Sequence, residues 1–297
     1  MAARTFCTDL ALERGEPHEG TALDLRRVLL LAVPHGQWRL RRTAVGLSPL
    51  LEEAQAYAYS KSAYALFMDK VEGRGDVPQL MAFPENQVLD GVDEETIAAA
   101  MRRWADGGEI GGRVEDRTTI LVCTDSRRDA CCARYGYATY KALVAQADPD
   151  KFNILQCNHL GGCRFATSLC VQPNAARYGR LRPEQVPEFL EAIGRGETYL
   201  PLSMGRIGLE EPQQVAELAA RRFAVTAGGN DGAPALSLQR ASADEMVFLA
   251  EVDGISVDVT VARRSFERHG NCEAVGSEPA NIVSRWVEQS VSRHVAG

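Results

Sequence analysis

The chain lacks any apolar stretch long enough to cross a bilayer. Its longest, Val28–Val33, is far shorter than the roughly 20 residues that a helical span needs. No apolar segment precedes Asp9, Glu13 and Glu16, so no secretory leader is expected and a cytoplasmic location follows. Basic excess is also missing: 33 Lys and Arg stand against 40 Asp and Glu, a net charge of −7. That excludes a sequence-independent nucleic-acid binder, which needs a basic surface. No Cys-x-x-Cys is present, which removes the usual thioredoxin dithiol. Gly194-Arg-Gly196 falls short of a dinucleotide fingerprint. No pair of carboxylates stands out for glycoside hydrolysis. Histidine is scarce, with five in 297 residues.

What the chain does have is clustered cysteine. Six of its eight cysteines fall within residues 118–194, in or near two ligand-rich segments. One is Cys123-Thr-Asp-Ser-Arg-Arg-Asp-Ala-Cys131-Cys132; the other is Cys157-Asn-His159-Leu-Gly-Gly-Cys163. In a reducing compartment such cysteines are metal ligands, a redox pair or small buried hydrophobes. Cys170, between apolar neighbours, reads as core, and Cys131 and Cys157 read the same way. Cys123, Cys132 and Cys163, flanked by Arg, Asp and Gly, do not. Cys7 is alone in its segment and reads as a free thiol. Cys272 is placed to approach either Cys7 or the central site, and the sequence leaves that open.

The pattern is α/β. Val28–Val33 reads as a buried strand, Ser48-Pro49 opens a helix, and strands follow at Tyr64–Met68 and Gln79–Phe83. Asp93 caps a helix with Ile97, Met101 and Trp104 on one face. A loop with His35, Gly36 and Trp38 reads as surface chain with a packed Trp. Next come a strand at Thr118–Val122, a helix from Asp129 to about Ala147, and a strand at Phe152–Gln156. A hairpin across Gln172-Pro-Asn-Ala and a helix from Pro183 follow. Both halves trace one outline. The expected units are an N-terminal α/β unit at 1–115, a central domain at 116–205 and a C-terminal helix/β-hairpin/helix segment at 206–297. In the last, Asp253-Gly254 turns the hairpin and Ala280–His294 is the closing helix.

Cys123-x8-Cys132 with internal Arg128-Asp129, then His159-Leu-Gly-Gly-Cys163-Arg-Phe-Ala166 and Tyr178-Gly-Arg180, resembles the sucrase/ferredoxin-like family. Cys7-Thr-Asp-Leu and Gly15-Glu-Pro17 resemble its N-terminal part. The resemblance implies a thioredoxin-like [2Fe–2S] ferredoxin domain. It implies Cys123 and Cys132 on one iron, with His159 and Cys163 on the other. The second pair departs from the family's frequent His-x-Gly-Gly-His, and Cys157 remains the alternative to His159. Four donors from two loops suit a diiron cluster, whose potential rises when an imidazole replaces a thiolate. Amides of the Gly161-Gly162 loop, with Arg127, Arg128 and Arg164, are expected to stabilise the reduced state. The function implied is one-electron transfer to a reductase or oxygenase, by a carrier rather than an enzyme. The competing reading is a zinc-stabilised structural module, since Cys3His also suits zinc.

Overall fold

The computed structural model describes residues 5–70 and 79–294. After helix α1 (Cys7–Glu13), strand β1 (Val28–Ala32) runs through the middle of a sheet and is apolar on both faces. Leu29 and Leu31 pack under α2 (Pro49–Lys61) and α3 (Glu94–Ala105), while Val28 and Leu30 enter a second core on the opposite face. Such two-sided burial makes the strand a continuous apolar run. The helices start where expected: the Ser48 and Asp93 side chains accept the Leu51 and Thr96 amides. Trp38 is buried and donates its indole N–H to the Val33 carbonyl.

The other strands of the large sheet are β2 (Ala65–Asp69), β3 (Leu80–Phe83), β4 (Gln87–Leu89), β5 (Arg113–Val114), β6 (Thr118–Cys123), β7 (Phe152–Cys157), β8 (Leu169–Gln172) and β9 (Ala176–Tyr178). Their order is β5-β4-β3-β1-β2-β7-β6-β8-β9. Helices α4 (Tyr137–Gln146) and α5 (Val186–Gly194) follow β6 and β9 and cover Ile120, Val122 and Ile154. The halves share one topology: a parallel pair (β1–β2, β6–β7), then a third strand antiparallel to the first, then a hairpin partner. Both hairpins turn at a proline, Pro84 or Pro173, followed two residues later by a left-handed residue, Asn86 or Ala175. β4 was not expected from the sequence, because three residues carry no readable period.

Register makes the halves comparable residue by residue. Val28 pairs with Phe83 before Pro84, and Thr119 pairs with Gln172 before Pro173. By that alignment Ala32 stands where Cys123 stands, and Met68 where Cys157 stands. Met68 and Cys157 are themselves paired across the antiparallel β2–β7 junction, so a local two-fold axis passes between equivalent residues. The junction pairs only Met68–Cys157 and Asp69–Gln156. Asn158 extends it: its amide donates to the Phe67 carbonyl (3.2 Å), and its side-chain oxygen accepts the Phe67 amide (3.0 Å).

After α6 (Glu211–Thr226) come β10 (Ala235–Ala241), β11 (Glu245–Val252), β12 (Ile255–Arg268) and β13 (Asn281–Arg293), an antiparallel sheet in chain order. Val257, Val259 and Val261 alternate onto α6 together with Trp286. The segment expected as the closing helix, Ala280–His294, is therefore a strand, and the C-terminal unit is not helix/hairpin/helix. Ile282 and Trp286 sit four apart as on a helix. The β-branched Ile282, Val283, Val287 and Val291 favour strand instead, and β12 from Val257 to Arg268 supplies the hydrogen-bonding partner. No helix among the described residues is long and apolar enough to cross a membrane.

Asn158→Ala is expected to lower unfolding free energy by about 1–3 kcal/mol, because it orphans the buried Phe67 amide. Urea titration reads it; a loss of only a few tenths would mean that the junction does not depend on this clamp.

Candidate metal centre

β6 and β7 are parallel and end level, with Cys123 directly beside Cys157. Chain leaving two adjacent parallel strands at their carboxyl ends forms a crevice there. The loops starting at Thr124 and Asn158 therefore emerge side by side, and together with Cys123 at the end of β6 they carry the four expected donors. Cys132 opens a single wide π-helical turn, Cys132–Gly136, that leads into α4. Gly136 is pressed against the strand end: a Cβ there would lie 2.1 Å from the Cys123 carbonyl oxygen. That contact brings Cys132 back over Cys123. The second loop turns on Gly161 and Gly162, both left-handed (φ 87° and 75°), before Cys163.

The donors meet in two pairs. Cys123 and Cys132 Sγ are 3.6 Å apart, and Cys163 Sγ is 3.5 Å from His159 Nδ1. Two thiolates on one tetrahedral ion, at ~2.3 Å from it, stand ~3.8 Å apart, so the first pair has the spacing of co-ligands. The pairs are close enough to influence each other's protonation. The Cys123 thiol is held well below its usual range by its hydrogen bond with Cys132 and, despite burial, by His159. Cys132 is pushed up by Cys123 and Cys163. Its hydrogen bond holds Cys163 down at about 7. Burial pulls His159 down, but the Cys123 and Cys163 thiols outweigh it and carry the imidazole to about 10. Such a set, holding thiolate charge beside an imidazole in a buried site, suits a thiophilic metal centre.

Cys157 is fully buried beside Cys123, and burial raises its thiol far above the usual range. His159, not Cys157, makes the contact to Cys163. Cys170 is buried in the apolar core, as expected, its thiol raised to about 12 by burial. Cys131 is also buried, in a cluster with Phe6 and Ala166, as expected of a core cysteine, but its sulfur meets those of Cys7 and Cys272.

Residues that the motifs did not reveal hold the loops together. Buried Asp125 accepts the Arg127 and Arg128 amides through one oxygen and the His159 amide through the other, bridging the two loops. Arg42, from the N-terminal half, donates to the His159 carbonyl (3.0 Å). Buried Arg177 donates to the Leu160 carbonyl (3.0 Å) and to Ser168 (2.9 Å), with the Gly161 carbonyl at 3.5 Å. Since a trans peptide points its N–H opposite to its C=O, the amides following these carbonyls face away from the arginines. The cations expected near the site are disposed otherwise. Arg127 and Arg128 are exposed, and Arg164 is paired with buried Glu16 (2.7 Å). His35 reaches the Thr124 carbonyl (3.2 Å), so its loop abuts the first donor loop. No sequence signal marks Asp125, Arg42 or Arg177, because their partners are backbone atoms distant in the chain.

Gly136→Ala is expected to displace Cys132 from Cys123, destabilise the fold by about 1–3 kcal/mol and lower bound metal per chain. Denaturation and metal analysis on the variant test this; wild-type metal content would show that the glycine contact does not set the pair.

The sucrase/ferredoxin-like family model matches residues 19–203. No curated protein matches the chain. Among solved structures it is similar to the thioredoxin-like [2Fe–2S] ferredoxin from Aquifex aeolicus, at 22% identity over 31% of this chain and 100% of that one, with a TM-score of 0.28. A second structure of such a ferredoxin from that organism gives 21% identity, 32% and 97% coverage and a TM-score of 0.29. The family match spans more than half of the chain, and the chain belongs to the sucrase/ferredoxin-like family.

Proposed function

We propose that the protein is a one-electron carrier of the ferredoxin type, with a [2Fe–2S] cluster held by Cys123, Cys132, His159 and Cys163. The observation that carries this reading is the gathering of the four donors in two close pairs at the ends of β6 and β7. The donor set fits the group: three thiols and an imidazole, buried or half-buried, supply two donors for each of two tetrahedral irons. A cluster bound there would take up and release single electrons without bond-making by the protein.

The chain's own residues set the conditions. Cys123, Cys132 and Cys163 lie beneath the surface, so the donors are shielded from water, while His159 is partly exposed and forms the edge nearest a partner. Asp125, Arg42 and Arg177 fix both loops through backbone atoms. A donor frame that does not move on changing charge keeps reorganisation small. Arg42 and Arg177 place positive charge behind the His159 loop, which favours the more negative, reduced state. The net charge of −7 suits docking to a basic face of a reductase or oxygenase. Eight free, buried cysteines suit a reducing, cytosolic setting.

Iron and acid-labile sulfide analysis with EPR of the dithionite-reduced protein tests the reading. About two irons per chain, a red-brown colour and a reduced-state EPR signal are expected. A colourless, EPR-silent protein with zinc bound to Cys123 and Cys132 would sink it. His159→Cys is expected to retain the cluster and lower its potential, since thiolate replaces neutral imidazole. Cys157→Ser is expected to leave the spectrum unchanged; a changed spectrum would transfer the ligand role to Cys157.

A further inference from the structure

Cys7, Cys131 and Cys272 come from the first helix, the start of the turn before α4 and the long β12–β13 connection, yet their sulfurs meet. Cys7 and Cys131 Sγ are 3.4 Å apart, Cys131 and Cys272 3.1 Å, and Cys272 and Cys7 3.7 Å. A disulfide needs ~2.05 Å, so this triangle holds no S–S bond. Two of the three separations are shorter than the ~3.5–4.0 Å at which carbon atoms, smaller than sulfur, pack best. Thiolates sharing one tetrahedral ion lie ~3.8 Å apart. Asp129 completes a fourth corner, its oxygens 4.0 and 3.9 Å from Cys7 Sγ. All four donor atoms lie within 4.8 Å of one another.

We infer that Cys7, Cys131 and Cys272, with Asp129, form a second metal site, separate from the electron-transfer site and suited to a thiolate-preferring divalent cation such as Zn²⁺. The surroundings are those of a closed structural site. Cys7, Cys131 and Asp129 are at most 4% exposed, and Cys272 is 8% exposed. The carboxylate is held as ligating carboxylates are: one oxygen accepts the Cys131 amide (2.8 Å), the other the Cys272 amide (3.0 Å). The Cys7 amide donates to Cys272 Sγ (3.4 Å). Three sulfurs and a carboxylate are gathered with no cationic side chain among the donors, and a divalent ion would supply the opposing charge.

The site would staple the N-terminal arm and the β12–β13 tip to Cys131, the residue immediately before Cys132. A metal there anchors the donor loop from behind without joining the redox chemistry.

The test counts zinc and iron separately on the full chain, purified without chelator and supplied with Zn²⁺. About one zinc per chain is expected, with a zinc-edge X-ray absorption shell of roughly three sulfurs and one lighter atom. Cys7→Ser and Cys272→Ser should each lose the zinc and keep iron and the visible spectrum. Cys123→Ser should lose iron and keep zinc, which separates this inference from the cluster assignment. Absorption on the unmodified protein decides the matter even if a variant fails to fold. The inference is overturned if no zinc is retained or taken up, if zinc survives Cys272→Ser, or if peptide mapping finds two of the three cysteines joined as a disulfide.

Discussion

The level ending of two neighbouring parallel strands is the constraint on which the donor site depends. β6 and β7 run side by side and stop at Cys123 and Cys157, so two loops that are more than 30 residues apart begin as neighbours. A helix crossover is what makes a parallel pair possible, and it costs the chain little beyond α4 itself. Once the loops start together, short-range features finish the work. Gly136 lets the returning turn press on the Cys123 carbonyl, and the left-handed Gly161-Gly162 pair turns Cys163 back toward His159. Donors from one strand end alone would give at most one pair.

Holding these loops involves buried charge: Asp125 and Arg177 are buried and Arg42 is half-buried. Asp125 takes amides from both loops, and Arg42 and Arg177 take successive carbonyls of the second. Buried charges left unpaired are strongly destabilising; Asp125 and Arg177 are each tied to more than one backbone atom, and Arg42 to the His159 carbonyl. The result is a frame in which polar satisfaction and donor geometry are the same set of bonds. Asn158, between Cys157 and His159, extends that frame into the N-terminal half through Phe67.

The N-terminal half repeats the strand plan of the central one but carries Ala32 and Met68 where Cys123 and Cys157 stand. At those two positions it lacks the thiols of its neighbour. It acts on the site of its neighbour instead, through Arg42, His35 and the Phe67 backbone. The local two-fold at the β2–β7 junction explains why such reach is short: equivalent strand ends face one another across it. The C-terminal unit approaches from the other side, its long β12–β13 ribbon carrying Cys272 to Cys7 and Cys131.

Several features were legible in the sequence because they are local. The spacing of Cys123, Cys132, His159 and Cys163, the glycine pair between the last two, the caps at Ser48 and Asp93, and the apolar run of β1 all depend on neighbours along the chain. The outline common to both halves was readable for the same reason, strand by strand. Three things were not. The last strand looked helical because Ile282 and Trp286 have helical spacing, and only pairing with β12 settles its conformation. The meeting of Cys7, Cys131 and Cys272 was not readable: the sequence leaves an approach of Cys272 to Cys7 open and Cys131 reads as core, because 7, 131 and 272 share no spacing and meet only when a distant ribbon folds back. The grip of Asp125, Arg42 and Arg177 was invisible, since backbone amides and carbonyls carry no residue type. The sequence by itself determined the kinds of donor and their local geometry. The tertiary structure decided which of them meet, because long-range strand register, not residue identity, sets the distance between remote side chains.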